Sequence, residues 1–305
     1  MPSLRSRLFL FALKHRHLLR RPLDHTTPIT EWRRRVEKGA RLLGRLPDGV
    51  TVEPVSIGGL AAEWIRPADA EPGRILLYFH GGGYVMGDCP SHRAIVAKFA
   101  TGSRTAALLF GYRLAPEHPF PAALEDALAA YGWLLAQGHA GDDVVFMGDS
   151  AGGGLSLATL LALRDRGGPM PARAVTLSPW TDLTCGGASY TANLGVEALA
   201  PRDCWLVFSA HYAGGVDAVH PLISPLHGRL EGLPPVLIHV GGNEVLLDDS
   251  RVFAQRAEAA GVDVTLRVGK GLFHCYPACA PLFPEAEAAW AECCDFICGA
   301  TPRRR

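Results

Sequence analysis

One serine set among glycines, Gly148-Asp149-Ser150-Ala151-Gly152, stands between an apolar β-rich run (Val144 to Met147) and an alanine- and leucine-rich helical pattern (Ala151 to Arg166). A G-x-S-x-G turn from strand to helix lifts the serine hydroxyl out of the sheet edge and sets it over a helix N-terminus, where developing negative charge is favoured. Gly148 and Gly152 supply the lack of bulk that such a turn needs. The chemistry in prospect is nucleophilic attack by Ser150 on a carbonyl carbon. Upstream, His80-Gly81-Gly82-Gly83-Tyr84 follows the run Ile75 to Phe79. Consecutive glycines let backbone N–H groups close around an oxyanion, and Gly82, Gly83 and Ala151, just after the nucleophile, are the expected donors. Neither stretch has the G-x-G-x-x-G or G-x-x-x-x-G-K-[ST] spacing of a nucleotide-phosphate cradle.

A serine needs a base, and the base needs an orienting carboxylate. With this kind of turn the expected chain order is nucleophile, acid, histidine. Of twelve histidines, His274 is best placed, in the loop Gly269 to Tyr276 after the last predicted strand. His239 falls inside a strand, and His211, His220 and His227 fall in a connecting segment away from the strand ends. The loop Gly241 to Asp249 offers Glu244, Asp248 and Asp249 as the acid. Glu244 is favoured because it comes just after the strand end. Asp248 is the less favoured alternative, because Asp248 and Asp249 read instead as an N-cap and first-turn anion of the next helix.

The elements that must position these groups are legible as alternating patterns. Strands are expected at Thr51 to Ile57, Ala61 to Arg66, Ile75 to Phe79, Ala106 to Gly111, Val144 to Met147, Ala174 to Leu177, Val236 to Val240 and Val262 to Val268. The first two form an antiparallel hairpin around Gly58-Gly59, and the rest alternate with helices at His92 to Thr101, Ala122 to Gln137, Ala151 to Arg166, Ser250 to Ala260 and Pro284 to Cys298. Strands alternating with helices predict an α/β fold: an eight-stranded, mostly parallel sheet covered by helices on both faces. Residues 180–234 are too long for a plain crossover and read as an inserted cap with one helix, Asp203 to Tyr212. Residues 1–48 carry two amphipathic stripes, Leu4/Leu8/Phe11/Leu18 and Trp32/Val36/Ala40/Leu43, and are expected to join that cap with these faces turned toward the body of the protein. Residues 49–305 then form the main domain. Tyr84, Val85 and Met86, beside the glycine loop, are expected to line an apolar substrate pocket.

With 305 residues, 48% apolar and 20% charged, the chain is expected to be globular. Its formal net charge is zero, which gives no global field for nucleic acid. The charge is uneven: residues 1–45 hold twelve Lys and Arg against three carboxylates, a local +9, so a basic cap on an acidic body is expected, with a bilayer surface as the rival partner. The apolar run Leu8 to Leu13 is shorter than a signal h-region and turns basic after it, so it is read as retained. No membrane span is expected. Eight cysteines without C-x-x-C spacing argue against a structural metal and suggest reduced thiols in a cytoplasm. A homodimer is compatible with the sequence, which does not fix the oligomeric state.

Together with Tyr112-Arg113-Leu114-Ala115-Pro116-Glu117-His118 and Ser178-Pro179-Trp180-Thr181-Asp182, these strings resemble the hormone-sensitive-lipase-like esterases of the α/β-hydrolase fold, the bacterial family IV carboxylesterases, from about Thr51 to the C-terminus. The resemblance implies hydrolysis of small carboxylic esters by a Ser-His-acid triad through an acyl-enzyme, without metal or organic cofactor. It implies a helical cap that admits short to medium acyl chains. In the family the acid lies about thirty residues before the histidine, which matches Glu244 and His274. Two features depart from the family: its acid is usually Asp followed by Pro, here Glu244 followed by Val245, and Cys275 follows the histidine where small or aromatic residues are usual. Lactone hydrolysis or deacetylation would use the same machinery. A non-catalytic ligand receptor on the same fold is the rival from another class.

Overall fold

The apolar runs pair into a single sheet. Its strands are β1 (Val50–Ile57), β2 (Leu60–Pro67), β3 (Ile75–Phe79), β4 (Ala106–Phe110), β5 (Val144–Asp149), β6 (Arg173–Leu177), β7 (Val236–Gly241) and β8 (Val264–Gly269), in the order β1-β2-β4-β3-β5-β6-β7-β8. The computed structural model describes residues 2–15, 23–43, 45–198 and 203–299, the side chains of 40–43 excepted. β1 pairs antiparallel with β2, and β2 with β4, while the strands from β4 through β3, β5, β6 and β7 to β8 run parallel. The β1–β2 turn consists of Gly58 and Gly59 at φ 58° and 99°, the positive-φ pair that a two-residue hairpin requires.

The parallel strands carry unbroken apolar sequences because both of their faces are covered. Leu77, Phe79, Leu108, Phe110 and Phe146 pack on one side with α4 (Ala122–Ala136), α5 (Ala151–Asp165) and α8 (Leu247–Ala259). Leu76, Tyr78, Val145, Met147 and Leu177 pack on the other with α3 (Cys89–Gly102) and α9 (Pro284–Cys298). Since β3, β5, β6, β7 and β8 are parallel, the loops that follow them emerge along one edge of the sheet, the edge where such folds gather ligands. Every loop singled out for chemistry is one of these.

Above that edge lie α2 (Ile29–Leu43), α6 (Ser189–Ala192) and α7 (Cys204–Ala213). Trp32 of α2 meets Phe208 of α7 edge-on at 5.5 Å, and Tyr212 of α7 stacks on Tyr84 at 3.7 Å. Such aromatic pairs contribute about 0.5–1.5 kcal/mol each beyond the area they bury. One basic residue of α2 makes several bonds to the segments beneath it. Arg33 grips Glu117 through two nitrogens at 2.8 and 2.6 Å and donates to the carbonyls of Val85 and Ala115.

The first helix corrects the sequence reading. In α1 (Leu4–Lys14), Leu4, Leu8 and Phe11, the expected inward stripe, are 70%, 60% and 63% exposed. The helix turns the other way: Leu10 is buried, Phe9 and Leu13 pack beside it, and Phe9 lies 5.6 Å from both Phe273 and Phe283. The reason is that α1 is apolar on two sides, and the enclosed Ser6, within the network that Ser3 makes with Glu285, fixes which side faces in. Leu18 lies outside the described residues, as do the side chains of Ala40 and Leu43. In α2, Trp32 is buried as expected whereas Val36 is 39% exposed. Among the described residues no helix is long and apolar enough to cross a membrane.

Candidate active site

Ser150 sits between β5 and α5 with φ 56° and ψ −124°, a backbone region costly for a residue with a side chain. The turn is tight enough that a Cβ on Gly148 would strike the Gly152 carbonyl, and one on Gly152 would strike the carbonyl of Phe79. That is the physical need behind the two flanking glycines. Ser150 occupies the N-cap position of α5 without capping it, so the first-turn N–H groups, Ala151 among them, keep no acceptor from that side chain. The residue is 7% exposed, and among the described residues its hydroxyl has no hydrogen-bond partner.

The glycine loop lies beside this turn. Gly82 and Gly83 have φ of 123° and 63°, and a Cβ would drive Gly82 into the Met86 carbonyl and Gly83 into the Phe208 ring. Asp149, the residue before the serine, holds the loop in place: its Oδ1 accepts from Gly81 N–H at 3.0 Å and from the Tyr78 hydroxyl at 2.9 Å. His80 is fully buried and stacks on Tyr112 at 4.1 Å, while the Tyr112 hydroxyl donates to its carbonyl. Burial, with His92 nearby, pushes its pKa down to about 3, so His80 is a neutral structural ring. The expected pocket residues Tyr84, Val85 and Met86 are all buried where this loop meets α2 and α7: Tyr84 under Tyr212, Val85 with its carbonyl bound by Arg33.

Between the two candidate acids the geometry differs sharply. Glu244 is fully buried, and its Oε2 lies 2.5 Å from His274 Nδ1. Its Oε1 accepts from the Ser178 hydroxyl at 2.7 Å and from Gly241 N–H. Asp248 instead accepts from Ser189 N–H at 2.8 Å, at the start of α6. Asp248 is not the N-cap read for it, since Leu246 holds that position and Asp248 and Asp249 both stand in the first turn, where Asp249 was expected. Asp249 has a further role. It is buried and binds the N–H groups of Thr181 and Asp182, and α8 begins with no side-chain cap. The extra methylene of Glu244 is accommodated because the side chain folds back over its own loop onto Gly241 N–H. Residues at and after the end of α6 brace that loop: Asn193 donates to the Glu244 carbonyl, and Glu197 accepts from Val245 N–H.

His274 lies in the loop after β8, 12% exposed at its side chain, beneath the edge of the Trp205 ring at 5.6 Å. The next residue, Cys275, links it to the serine turn, because Cys275 Sγ and Ser150 N both bond to the Leu177 carbonyl, at 3.4 and 2.8 Å. Ser150 and His274 are thus held at the end of one strand, although no hydrogen bond joins their side chains, a bond that often tightens only with substrate. Burial opposes protonation of His274, but the Cys275 sulfur and the Glu244 carboxylate outweigh it, and the pKa lies well above that of a free imidazole. Burial pushes the Cys275 thiol up from its ordinary value, while the neighbouring His274 pulls it down. The competing histidines stand elsewhere. His239 is buried between Tyr276 and Glu292, and His227 pairs with Asp182.

Three supporting residues escaped the sequence reading as such. Ser178 bonds both Glu244 and the Cys275 N–H, at 2.7 and 2.9 Å. Asp149 anchors the glycine loop, and Trp205 covers the imidazole. Ser178 and Asp149 lie inside strings the sequence had already marked, but their partners are 66 and 68 residues away in the chain.

A parallel sheet whose carboxyl edge gathers a strained serine, a carboxylate-bound imidazole and a glycine loop defines the serine-hydrolase class of α/β proteins. The comparisons agree with that class. Residues 76–278 match the family model of the α/β hydrolase fold. The chain is similar to an acetyl-hydrolase of Streptomyces hygroscopicus, 47% identical over 235 residues (77% of this chain, 78% of the relative), and to an esterase of Acinetobacter venetianus, 34% identical over 248 residues (81% and 82%). Among solved structures, an esterase of the bacterial hormone-sensitive lipase family superposes with a TM-score of 0.91 at 39% identity, covering 98% of this chain and 99% of its own. The chain belongs to the α/β-hydrolase family, in its hormone-sensitive-lipase-like branch.

Proposed function

We propose that this carboxylic ester hydrolase cleaves short- to medium-chain esters with Ser150 as nucleophile, His274 as base and Glu244 as the orienting acid. His274 Nε2 takes the Ser150 proton as the oxygen attacks the ester carbonyl, and the oxyanion rests against the N–H groups of Gly82, Gly83 and Ala151. The imidazolium returns that proton to the departing alcohol. Water, deprotonated by the same imidazole, then releases the acid from Ser150. Glu244 holds the imidazole in the tautomer that exposes Nε2 and stabilises its charged form. The observation that carries this reading is the 2.5 Å contact of Glu244 Oε2 with His274 Nδ1.

Residues 1–48 and 180–234 act as the cap over a main domain formed by the remainder of 49–305, with Tyr84, Val85 and Met86 shaping the pocket wall from within the seam. A solved relative, EstE5, was soaked with p-nitrophenyl butyrate (TM-score 0.89, 41% identity), which supports a short acyl chain. The Streptomyces relative's name favours acetyl esters as one such substrate. The eight cysteines, all free, fit a cytoplasmic location.

Two measurements test the reading. A panel of p-nitrophenyl esters should give highest kcat/KM at acetate to hexanoate; a preference for chains longer than about ten carbons, more apolar area than a closed short pocket buries, would reject the short-acyl assignment. A sulfonyl fluoride should add its sulfonyl group to the Ser150 peptide in mass spectrometry and abolish turnover. Full turnover with Ser150 modified would reject the triad.

A further inference from the structure

We infer that the outer face of α1 is a docking surface for an anionic phospholipid bilayer. The helix is apolar on two opposite sides. Phe9, Leu10 and Leu13 face the protein, while Leu4, Leu8 and Phe11 stand 60–70% exposed. At about 100° per residue these three fall within one narrow stripe, with Arg7 and Lys14 along one border and Arg5 along the other, all exposed. Among the described residues Arg5 and Arg7 meet no carboxylate, and no Asp or Glu precedes Asp24 in the sequence. An apolar stripe bordered by cations matches the layering of a lipid surface, where long basic side chains reach phosphate while the stripe enters the acyl boundary.

A second copy of the chain fits this face less well, because two-fold contact would set one row of cations against its duplicate. The eleven-residue helix, about 16 Å long, is far too short to cross a bilayer and is suited to lie on it. Its position has a consequence. The inner face stacks Phe9 on Phe273, the neighbour of His274, and Pro2 packs against Gly271 of the same loop. A bilayer held by α1 would therefore lie next to the loop that carries the imidazole, where esters dissolved in lipid could be drawn in.

The test is co-sedimentation of the full chain with phosphatidylcholine vesicles, with and without phosphatidylglycerol, at low and high salt. Binding should require phosphatidylglycerol, weaken with salt, and fall about tenfold in Leu8→Ser/Phe11→Ser and in Arg5→Ser/Arg7→Ser. Turnover of p-nitrophenyl acetate without vesicles should stay within about twofold, since none of these side chains touches the site; the arginine variant keeps the apolar face intact and guards against a folding defect. Wild-type protein left in the supernatant with phosphatidylglycerol vesicles would overturn the inference, as would undiminished binding by both variants. A dimer in light scattering that Leu8→Ser/Phe11→Ser turns into a monomer would assign the face to a second copy and overturn it too. Sedimentation reads the surface whether or not the triad assignment holds.

Discussion

Ser150 follows β5 and Ser178 follows the neighbouring β6. Both have positive φ, 56° and 49°, and each N–H donates to the carbonyl of the next strand over, Ser150 to Leu177 at 2.8 Å and Ser178 to His239 at 2.6 Å. The backbones leave the sheet alike, yet the hydroxyls are in opposite conditions. Among the described residues that of Ser150 has no partner, while that of Ser178 donates to Glu244 and accepts from Cys275 N–H. A hydroxyl has one proton, and Ser178 has committed its proton to a carboxylate. The comparison teaches that a strained turn exposes or aims a serine, and that its hydrogen bonds decide whether it reacts or holds other groups in position.

Breaking the two turns separately should give unequal losses. Ser150→Ala should lower kcat with p-nitrophenyl butyrate by about a hundred-thousand-fold or more, down to the residue left by the oxyanion donors. Wild-type turnover no faster than that variant's would favour the receptor reading. Glu244→Gln should cost about a thousand- to ten-thousand-fold, because the wrong tautomer is favoured and the imidazolium loses its counter-charge. The pH profile sharpens this. With His274 as the proposed base only its neutral form would act, and its pKa is raised, so kcat/KM should fall on the acid side at a pH above 6.5 in the wild type, and this limb should move downward in Glu244→Gln.

Ser178→Ala should be milder, about ten- to a hundred-fold in kcat with KM nearly unchanged, together with a shifted acid limb, since the carboxylate and the Cys275 loop lose one shared support. A loss in Ser178→Ala as large as in Ser150→Ala would erase the distinction drawn between them. Least affected should be Arg33→Ala, since Arg33 bonds neither serine. Losing its bonds to Glu117 and two carbonyls should cost about 1–3 kcal/mol of stability, read as a lower Tm, with kcat changed only a few-fold.

Much of this arrangement is legible in the chain. β3 and β5 read as unbroken apolar runs because both faces are covered, and the ends of α9 fall where its Pro284 and Gly299 place them. The start of α8 is less legible. The helix begins at Leu247, so Asp248, read as its cap, falls with Asp249 inside the first turn, and their side chains bind elsewhere, Asp249 to the 181–182 backbone and Asp248 to Ser189. Glu244 could be preferred over Asp248 by position and resemblance, but the preference became geometry only where Gly241 N–H, Ser178 and His274 converge on it. In α1 periodicity was of no help, because a helix with two apolar faces offers either to the core.

The amino-acid order by itself determined the short-range features: which runs become strands, where glycines permit a tight turn, and which serine stands at one. These depend on neighbours a few residues apart, whose spacing is set by bond geometry. The order of strands in the sheet, the carboxylate that meets the imidazole, the partnership of Ser178 with residues 66 and 97 positions away, and the side of α1 that faces solvent were decided only in three dimensions. Each depends on how distant segments pack, and no local periodicity encodes a distance between groups that share no stretch of chain.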